Sequence, residues 1–315
     1  MKKDLLTVLD LSVDEVRYIF KLTAGMKDGS IRRSLAGKTI AMVFEKPSLR
    51  TRMTFQVGMN QLDGHAIYLT QQDIQLGGRE SVGDVARNLE RWVDGIVART
   101  YKHETIVELA RSASIPVINA LSDRAHPCQA LTDLYTVVEK KHDLAGLRIA
   151  YIGDGNNVCN SLVELCAMLG VELAVASPSG YRPSADVVAL AKERSAKSGA
   201  RIVFTDDPRE AAGKADVVYT DVWVSMGDEA EAEERHRAFA RYQVNAELLR
   251  VAAPDAVVMH CLPAKRGLEI TDEVIDGPQS IVFDQAENRL HVQKALLVSL
   301  LEFRESGQLM MFPQV

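Results

Sequence analysis

Short runs of apolar, mostly β-branched residues recur along this chain and alternate with longer stretches of helical spacing. Each run ends in a turn signal, and such unbroken runs are typical of parallel strands buried on both faces. The runs predict strands at 39–44, 66–70, 95–100 and 116–121, followed by a second series at 147–153, 171–177, 201–205, 216–220, 256–262 and 280–284.

Two such series predict an α/β fold with two doubly wound domains, each with a parallel sheet, joined by interdomain helices. We expect the first domain over residues 1–142 and the second over 147–285. The break falls where a helix from Pro127 to Lys141 ends. The last helix, about 286–306, is long enough to pack back on the first domain. Ligands of open parallel sheets bind beyond the carboxyl ends of the strands, so those ends are the places to inspect.

Composition narrows the class of protein. A chain of 315 residues that is 47% hydrophobic suffices for two ordinary cores. A net charge of −6 argues against an extended nucleic-acid surface. The four cysteines lack zinc spacing and suit a reducing compartment. Early acidic residues and the lack of a long apolar run argue against a signal peptide and a membrane span. We therefore expect a soluble, cytoplasmic protein with no nucleic-acid or membrane partner.

The segment FEKPSLRTR, residues 44–52, follows the first predicted strand and poses an electrostatic question. Ser48 is a candidate cap, which places Arg50 and Arg52 in the first turn of a helix, where the macrodipole is already positive. An anion would offset that charge. The free N–H groups from Leu49 to Thr51, the Thr51 hydroxyl and the Arg50 guanidinium form a phosphate-sized cradle. The alternative is that both arginines reach solvent or surface acids, and Arg52 alone could serve structure.

Two further strand ends carry candidate polar groups. Arg99 ends the third predicted strand, and His126 precedes Pro127 at a helix start with Gln129 in the first turn. A histidine at that end is kept neutral by the helix dipole and can donate a hydrogen bond to a carbonyl oxygen. The alternatives are a solvated arginine and a histidine that only caps the helix.

The second domain opens with YIGDGNNVCNS, which invites a dinucleotide interpretation through Gly153 and Gly155. Val158 stands at the third glycine position, and the next strand ends at Ser177, where a ribose-binding acid would be expected. An oxidoreductase is disfavoured on both counts. The asparagines Asn156 and Asn157 remain as neutral groups able to hold an amino-acid carboxylate.

Two later strand ends complete the set. Asp221 can hold an ammonium group, and the following Ser225 to Gly227 has the composition of a mobile loop. His260 and Cys261 are neighbours on a predicted strand, so we expect them to point to opposite faces, which argues against joint metal ligation.

Six motifs occur in order along nearly the whole chain: FEKPSLRTR, HPCQ, GDGNN, DVWVSMG, HCLPAKRG and AENRLH. In this order they resemble the carbamoyltransferase family, and within it the members that act on ornithine. The resemblance implies transfer of a carbamoyl group from carbamoyl phosphate to ornithine, without a metal or other cofactor. It assigns Arg99, His126, Asp221 and Cys261 to catalysis. It implies a carbamoyl-phosphate site of Ser48, Leu49, Arg50, Thr51, Gln75, Arg99, His126, Gln129, Cys261, Leu262 and Arg289, and an ornithine site of Asn157, Asp221, Ser225 and Met226.

The resemblance also implies a trimer or a multiple of trimers, in which Gln75 reaches a neighbouring site. The segment around that glutamine reads QLGGRE where QLGRGE is commoner, and Leu49 stands where many members carry threonine. Aspartate as the acceptor is disfavoured by the HCLP and SMG motifs. Acetylornithine and putrescine remain alternatives. We expect direct transfer, with Cys261 orienting the amine, because no partnered base is evident for a nucleophilic role.

Overall fold

The computed structural model describes residues 3–225 and 229–306. They form two compact units. Among the described residues, unit 1 contains residues 3–131 and 288–306, and unit 2 contains those between 132 and 287. Both points at which the chain passes between units fall inside helices rather than in loops.

The helices and strands alternate through both units. The helices are α1 Val13–Asp28, α2 Leu49–Gln61, α3 Gln71–Ile74, α4 Val82–Leu89, α5 His103–Ser112, α6 Pro127–Lys141, α7 Asn157–Leu169, α8 Ala185–Ser198, α9 Pro208–Ala212, α10 Ala232–Phe239, α11 Ala246–Leu249, α12 Asp272–Ile275 and α13 Val282–Ser306. The strands are β1 Thr39–Phe44, β2 His65–Thr70, β3 Gly95–Arg99, β4 Val117–Leu121, β5 Arg148–Ile152, β6 Glu172–Ala176, β7 Ile202–Thr205, β8 Val217–Thr220 and β9 Val257–His260.

Unit 1 is built on a parallel sheet with the strand order β2-β1-β3-β4. The register pairs Phe44 at the end of β1 with Arg99 at the end of β3. Every residue of β3 is buried, as expected for a strand covered on both faces. This pairing brings the FEKPSLRTR segment and Arg99 to the same sheet edge.

Unit 2 is built on a second parallel sheet with the order β7-β6-β5-β8-β9. Thr220, the last residue of β8, pairs with Ile152 on one side and His260 on the other. The residues that follow these three strands therefore emerge side by side. The predicted class, two α/β domains with parallel sheets, is confirmed.

One predicted strand is wrong. Residues 280–284 do not form a strand: Ser280 makes an isolated bridge to Val258, and α13 begins at Val282. The last helix is therefore longer than predicted. Ile281 and Val282 are buried while Phe283 is 68% exposed, so the apolar run does not lie on one buried surface. A short apolar run does not by itself distinguish a buried strand from the first turn of a helix.

No helix within the described residues is both long and apolar enough to cross a membrane. The helix from Pro127 to Lys141 begins and ends where the sequence predicts. Strand β9 ends at His260, two residues earlier than predicted, and this changes the direction of Cys261.

Candidate active site

Ser48 caps α2, as the sequence predicts. Its Oγ accepts a hydrogen bond from the Thr51 N–H at 3.3 Å and donates one to the Thr51 hydroxyl at 3.1 Å. The cap uses the Thr51 N–H, so the expectation that this group is free for an anion is wrong. Thr51 is 1% exposed and turns its hydroxyl toward the interior of unit 1.

The two arginines of this turn differ in their surroundings. Arg52 lies over the ring of Tyr68, with its guanidinium carbon 4.0 Å from the ring centroid, and its Nε donates to Gln56 at 3.1 Å. Those contacts give Arg52 a structural role. Arg50, in contrast, contributes to the positive field at His126. The argument that a bound anion offsets positive charge at the start of α2 therefore applies to Arg50 and not to Arg52.

Arg289 of α13 joins two elements of unit 1 that are distant in sequence. Its guanidinium donates to Oε1 of Gln129 at 2.7 Å and to the Thr51 hydroxyl at 3.2 Å. Arg289 is 3% exposed and Gln129 1% exposed. The start of α2, the first turn of α6 and the first half of α13 are thus tied together around one buried cation.

His126 directly precedes α6 and is surrounded by positive charge. Burial lowers its pKa well below the ordinary value, and Arg289, Arg99, Arg50 and Lys46 lower it further by repulsion. The imidazole is therefore neutral at physiological pH and carries one N–H that can be donated. This is the protonation state that the sequence predicts for polarising a carbonyl.

Two neighbours of Arg99 were missed by sequence reasoning. The Glu45 N–H donates to the Arg99 carbonyl at 2.9 Å, and the Glu45 carboxylate accepts from the Tyr101 N–H at 2.6 Å. Lys46 is 7% exposed and lies over the Tyr101 ring at 5.0 Å. The sequence did carry a signal for these two residues, because Glu45 and Lys46 are charged and directly follow the buried strand β1. Lys46 adds a further cation to this region of unit 1.

In unit 2 the strand-end residues converge on Asp221. The Cys261 thiol donates to Oδ1 of Asp221 at 3.0 Å, and the Val222 N–H donates to the same oxygen at 2.8 Å. Asn156 Nδ2 donates to Oδ2 at 2.9 Å. Asp221 is 5% exposed, so its charge is stabilised mainly by these donors. The arrangement presents a fixed carboxylate beside a thiol.

Asn156 has a structural role that differs from the predicted one, which was to hold an amino-acid carboxylate. Its Oδ1 accepts from the N–H groups of Val158 and Cys159 at 3.0 and 3.1 Å, which makes it the cap of α7. The Tyr151 hydroxyl donates to the same oxygen at 3.3 Å. Asn156 is thus occupied by the helix and by Asp221, while Asn157 is the first residue of α7 and is half-buried.

The expectation that His260 and Cys261 point to opposite faces is wrong. The strand ends at His260, so the alternation stops there, and ligand-type atoms of Asp221, His260 and Cys261 lie within 4.8 Å of one another. Both imidazole nitrogens of His260 are already hydrogen-bonded. Nδ1 accepts from the Leu262 N–H at 2.9 Å, and Nε2 lies 3.0 Å from the Glu269 carboxylate. The geometry assigns His260 to holding the turn at Leu262, which has a φ of 57°.

The loop that carries Asn156 is closely packed. A Cβ on Gly155 would lie 2.2 Å from the backbone nitrogen of Pro183, so only glycine fits. Asp154 pairs with Arg235 of α10 at 3.1 Å, and the two side chains are 10% and 11% exposed. Arg235 also donates to the Trp223 carbonyl at 3.1 Å. This buried cation therefore ties the segments before Asn156 and after Asp221 to α10.

The remaining predicted residues are distributed over both units. Gln75 ends α3 in unit 1 and is exposed. Leu49 is also exposed there, whereas Ser225 and Leu262 are half-buried in unit 2. Met226 lies outside the described residues.

Two consecutive segments of the chain match the two domains of one known family. Residues 3–139 match the carbamoyl-P binding domain of aspartate/ornithine carbamoyltransferase, and residues 145–300 match the Asp/Orn binding domain. Together these matches cover nearly the whole chain. The chain belongs to the aspartate/ornithine carbamoyltransferase family of enzymes.

Individual relatives are similar over almost their entire length. The ornithine carbamoyltransferase of Methanosarcina acetivorans is 52% identical over 96% of this chain and 100% of its own. That of Anoxybacillus flavithermus is 54% identical over 95% of this chain and 96% of its own. The solved structure of ornithine carbamoyltransferase from Pyrococcus furiosus has a TM-score of 0.92 at 50% identity, with 95% of this chain and 97% of that chain covered.

Proposed function

We propose that this protein transfers the carbamoyl group of carbamoyl phosphate to the side-chain amine of L-ornithine, giving L-citrulline and phosphate. The observation that carries the proposal is His126, which is buried, neutral and surrounded by cations. A second group, the Asp221 carboxylate, is held in place by hydrogen bonds. Relatives of about 50% identity that carry the name ornithine carbamoyltransferase support the choice of acceptor.

Unit 1 is proposed to bind carbamoyl phosphate. The phosphate would lie at the start of α2, against the Arg50 guanidinium and the Ser48, Leu49 and Thr51 positions. Arg99, His126 and Gln129 would hold the carbamoyl group, with Arg289 securing Gln129 by its 2.7 Å hydrogen bond. Lys46 would add to the attraction for the phosphate dianion without contacting it.

Unit 2 is proposed to bind ornithine. Asp221 would take the α-ammonium group, and Asn157, Ser225 and Met226 would complete the contacts to the α-amino and carboxylate groups. Cys261 and the Leu262 carbonyl would orient the side-chain amine for attack. The direct hydrogen bond from Cys261 to Asp221 supports a positioning role for the thiol.

The chemistry requires an uncharged amine. An amine of this kind has a pKa of about 10.4 and must lose a proton before its lone pair can attack the carbamoyl carbon. Attack forms a C–N bond and a tetrahedral oxyanion, to which Arg99 and the His126 N–H would donate. Removing one such donor costs about 2.7–4 kcal/mol of barrier in comparable sites. The C–O bond to phosphate then breaks, phosphate leaves with the electron pair toward Arg50, and the second proton of the attacking amine passes to the departing phosphate.

We further propose that the chain forms a homotrimer or a multiple of trimers, with Gln75 reaching a neighbour's site. Leu49 and Met53, one helical turn apart on α2, are 75% and 48% exposed, and Ile67 on the edge strand β2 is 50% exposed. Apolar side chains of this size at an edge are covered in many assemblies of identical chains. Sedimentation analysis tests the assembly, and Leu49→Glu should shift the chain toward a smaller species.

The four cysteines are free, which suits a reducing compartment, so we propose a cytoplasmic location.

The decisive experiment supplies carbamoyl phosphate with ornithine, acetylornithine, putrescine or aspartate and measures both phosphate and the ureido product. We expect product with ornithine and at least a hundredfold lower kcat/KM with the others, about 2.7 kcal/mol in discrimination. Ureido product from acetylornithine or putrescine, with none from ornithine, would reassign the acceptor. Phosphate release without any ureido product would overturn group transfer altogether.

The two arginines of α2 provide a matched pair for the same assay. Arg50→Ala should abolish turnover without unfolding the protein. Arg52→Ala should retain it, because that guanidinium lies on Tyr68 and Gln56. Equal activity of the two variants would remove the proposed phosphate cradle.

A further inference from the structure

We infer that Asn156 is a positioning residue for the acceptor amino acid: one amide group both begins α7 and sets the orientation of the Asp221 carboxylate. The inference rests on the proposed function of Asp221. It adds a residue outside the proposed ornithine contacts, whose effect on the substrate passes through another side chain.

The orientation of the Asn156 amide is determined by its neighbours. Three donors converge on Oδ1: the N–H groups of Val158 and Cys159 and the Tyr151 hydroxyl, at 3.0 to 3.3 Å. Nδ2 faces an acceptor, Oδ2 of Asp221, at 2.9 Å. A flipped amide would set its NH₂ group against the two backbone N–H donors and its oxygen against a carboxylate. The amide therefore has one arrangement that satisfies both sides.

Both oxygens of Asp221 are held as a result. Oδ1 accepts from the Val222 N–H and the Cys261 thiol, and Oδ2 accepts from Asn156. The Val222 and Cys261 bonds both hold Oδ1. The Asn156 bond comes from the start of a separate helix and holds the second oxygen, Oδ2, which fixes the plane of the carboxylate. Asp221 can then offer its remaining lone pairs in a fixed direction.

Asparagine is the residue type that performs both tasks without a charge conflict. Serine caps helices about as well as asparagine, and threonine somewhat less well, but both lack an amide donor that reaches Asp221. Aspartate also caps well, but it would place a second carboxylate beside the first. The cap function and the orienting function can therefore be separated by substitution.

The test compares Asn156→Ser with Asn245→Ser in the full-length enzyme. Asn245 caps α11 in the same unit by accepting from the Leu248 N–H at 3.0 Å, and its Nδ2 faces Gln243 instead of an acid. The measurements are the thermal midpoint, kcat, and KM for each substrate. Asn156→Ala, which removes cap and donor together, is the third variant.

We expect Asn156→Ser to keep a thermal midpoint close to that of Asn245→Ser while its kcat/KM for ornithine falls at least about tenfold, the loss expected for one hydrogen bond to a charged group. The KM for carbamoyl phosphate should change less than about threefold, since only the acceptor contacts are disturbed. Asn156→Ala should add a lower thermal midpoint to the same kinetic loss.

Two results would overturn the inference. One is equal kcat/KM for ornithine in Asn156→Ser and Asn245→Ser. The other is a kinetic loss in Asn156→Ser that comes only with a lowered thermal midpoint, which would indicate a cap and nothing more. A wild-type enzyme that makes no citrulline would instead overturn the proposed function, so the two failures are distinguishable.

Discussion

Arg289 and Gln129 stand 160 residues apart in the sequence and are joined by a 2.7 Å hydrogen bond. Both side chains are buried, and the same guanidinium also reaches Thr51 at 3.2 Å. One arginine late in the chain thereby sets the positions of a glutamine beside His126 and a hydroxyl beside Ser48.

Arg289→Lys should raise the KM for carbamoyl phosphate by about tenfold to a hundredfold, because the ammonium group lacks the planar guanidinium that donates to Gln129 and Thr51 at once, so one of these charge-assisted hydrogen bonds is lost. Initial-rate kinetics measure the change. Arg148→Lys is the control, since it alters a guanidinium bound to Glu172 and the Glu210 carbonyl in unit 2. A similar rise in the control would contradict a specific role for Arg289.

Ser48→Ala should lower the stability by about 1 kcal/mol through loss of the cap and should also raise the KM for carbamoyl phosphate. The matched control is Ser81→Ala. Ser81 caps α4 of the same unit by accepting from the Asp84 N–H at 3.1 Å. Both variants should melt earlier in thermal denaturation, but Ser81→Ala should leave the KM unchanged. If the two variants shift KM alike, the start of α2 has no special relation to the substrate.

His126 should make the protein less stable in acid. Its pKa in the folded state lies well below 6.5 because of burial and the nearby cations. The unfolded chain binds a proton near pH 6.5 that the folded chain does not bind, so stability is full above about pH 6.5 and falls as the pH drops below it. Thermal midpoints between pH 5 and 8 should depend less on pH in His126→Asn than in the wild type. Parallel curves for the two proteins would show that folding does not lower the pKa of His126.

Cys261 should be the thiol that reacts in the folded protein. Burial raises the pKa of Cys128 to about 12 and raises those of Cys159 and Cys166, and all three side chains are buried. Titration with a chromogenic aryl disulfide at pH 8 should modify one thiol per chain rapidly, against four in denaturant. Cys261→Ala should abolish the rapid phase, and saturating ornithine should slow it in the wild type. Rapid modification of a second thiol would contradict the burial described for the other three.

Nine of the ten predicted strands occur within the described residues, because parallel strands buried on both faces leave a plain apolar signal. The Ser48 cap followed from the rules of helix termini. The neutral state of His126 was predicted from the helix dipole, whereas in the structure burial and nearby cations lower its pKa. Arg289 was different, because no local rule relates α13 to the first turns of α2 and α6. Arg289 was assigned to the site only because the motif AENRLH resembles that of a known family.

Other features depend on geometry that residue order does not specify. Asn156 and Asp221 are 65 residues apart, and only the strand order β5-β8-β9 sets one beside the other. The error at Cys261 arose from extending β9 by two residues, which assigned it the wrong face. Residues 280–284 have the composition of a strand, but all except Ser280 and Ile281 belong to a helix of 25 residues.

Unit 1 is assembled from both ends of the chain, with its last part beginning at Asn288. A ribosome must therefore synthesise all of unit 2 before Arg289 can meet Gln129 and Thr51. The nascent chain can form the sheet of unit 1 early, yet the region around His126 gains its most buried cation only when translation is almost complete. Any polypeptide released before residue 289 lacks that cation, however well the rest of it folds.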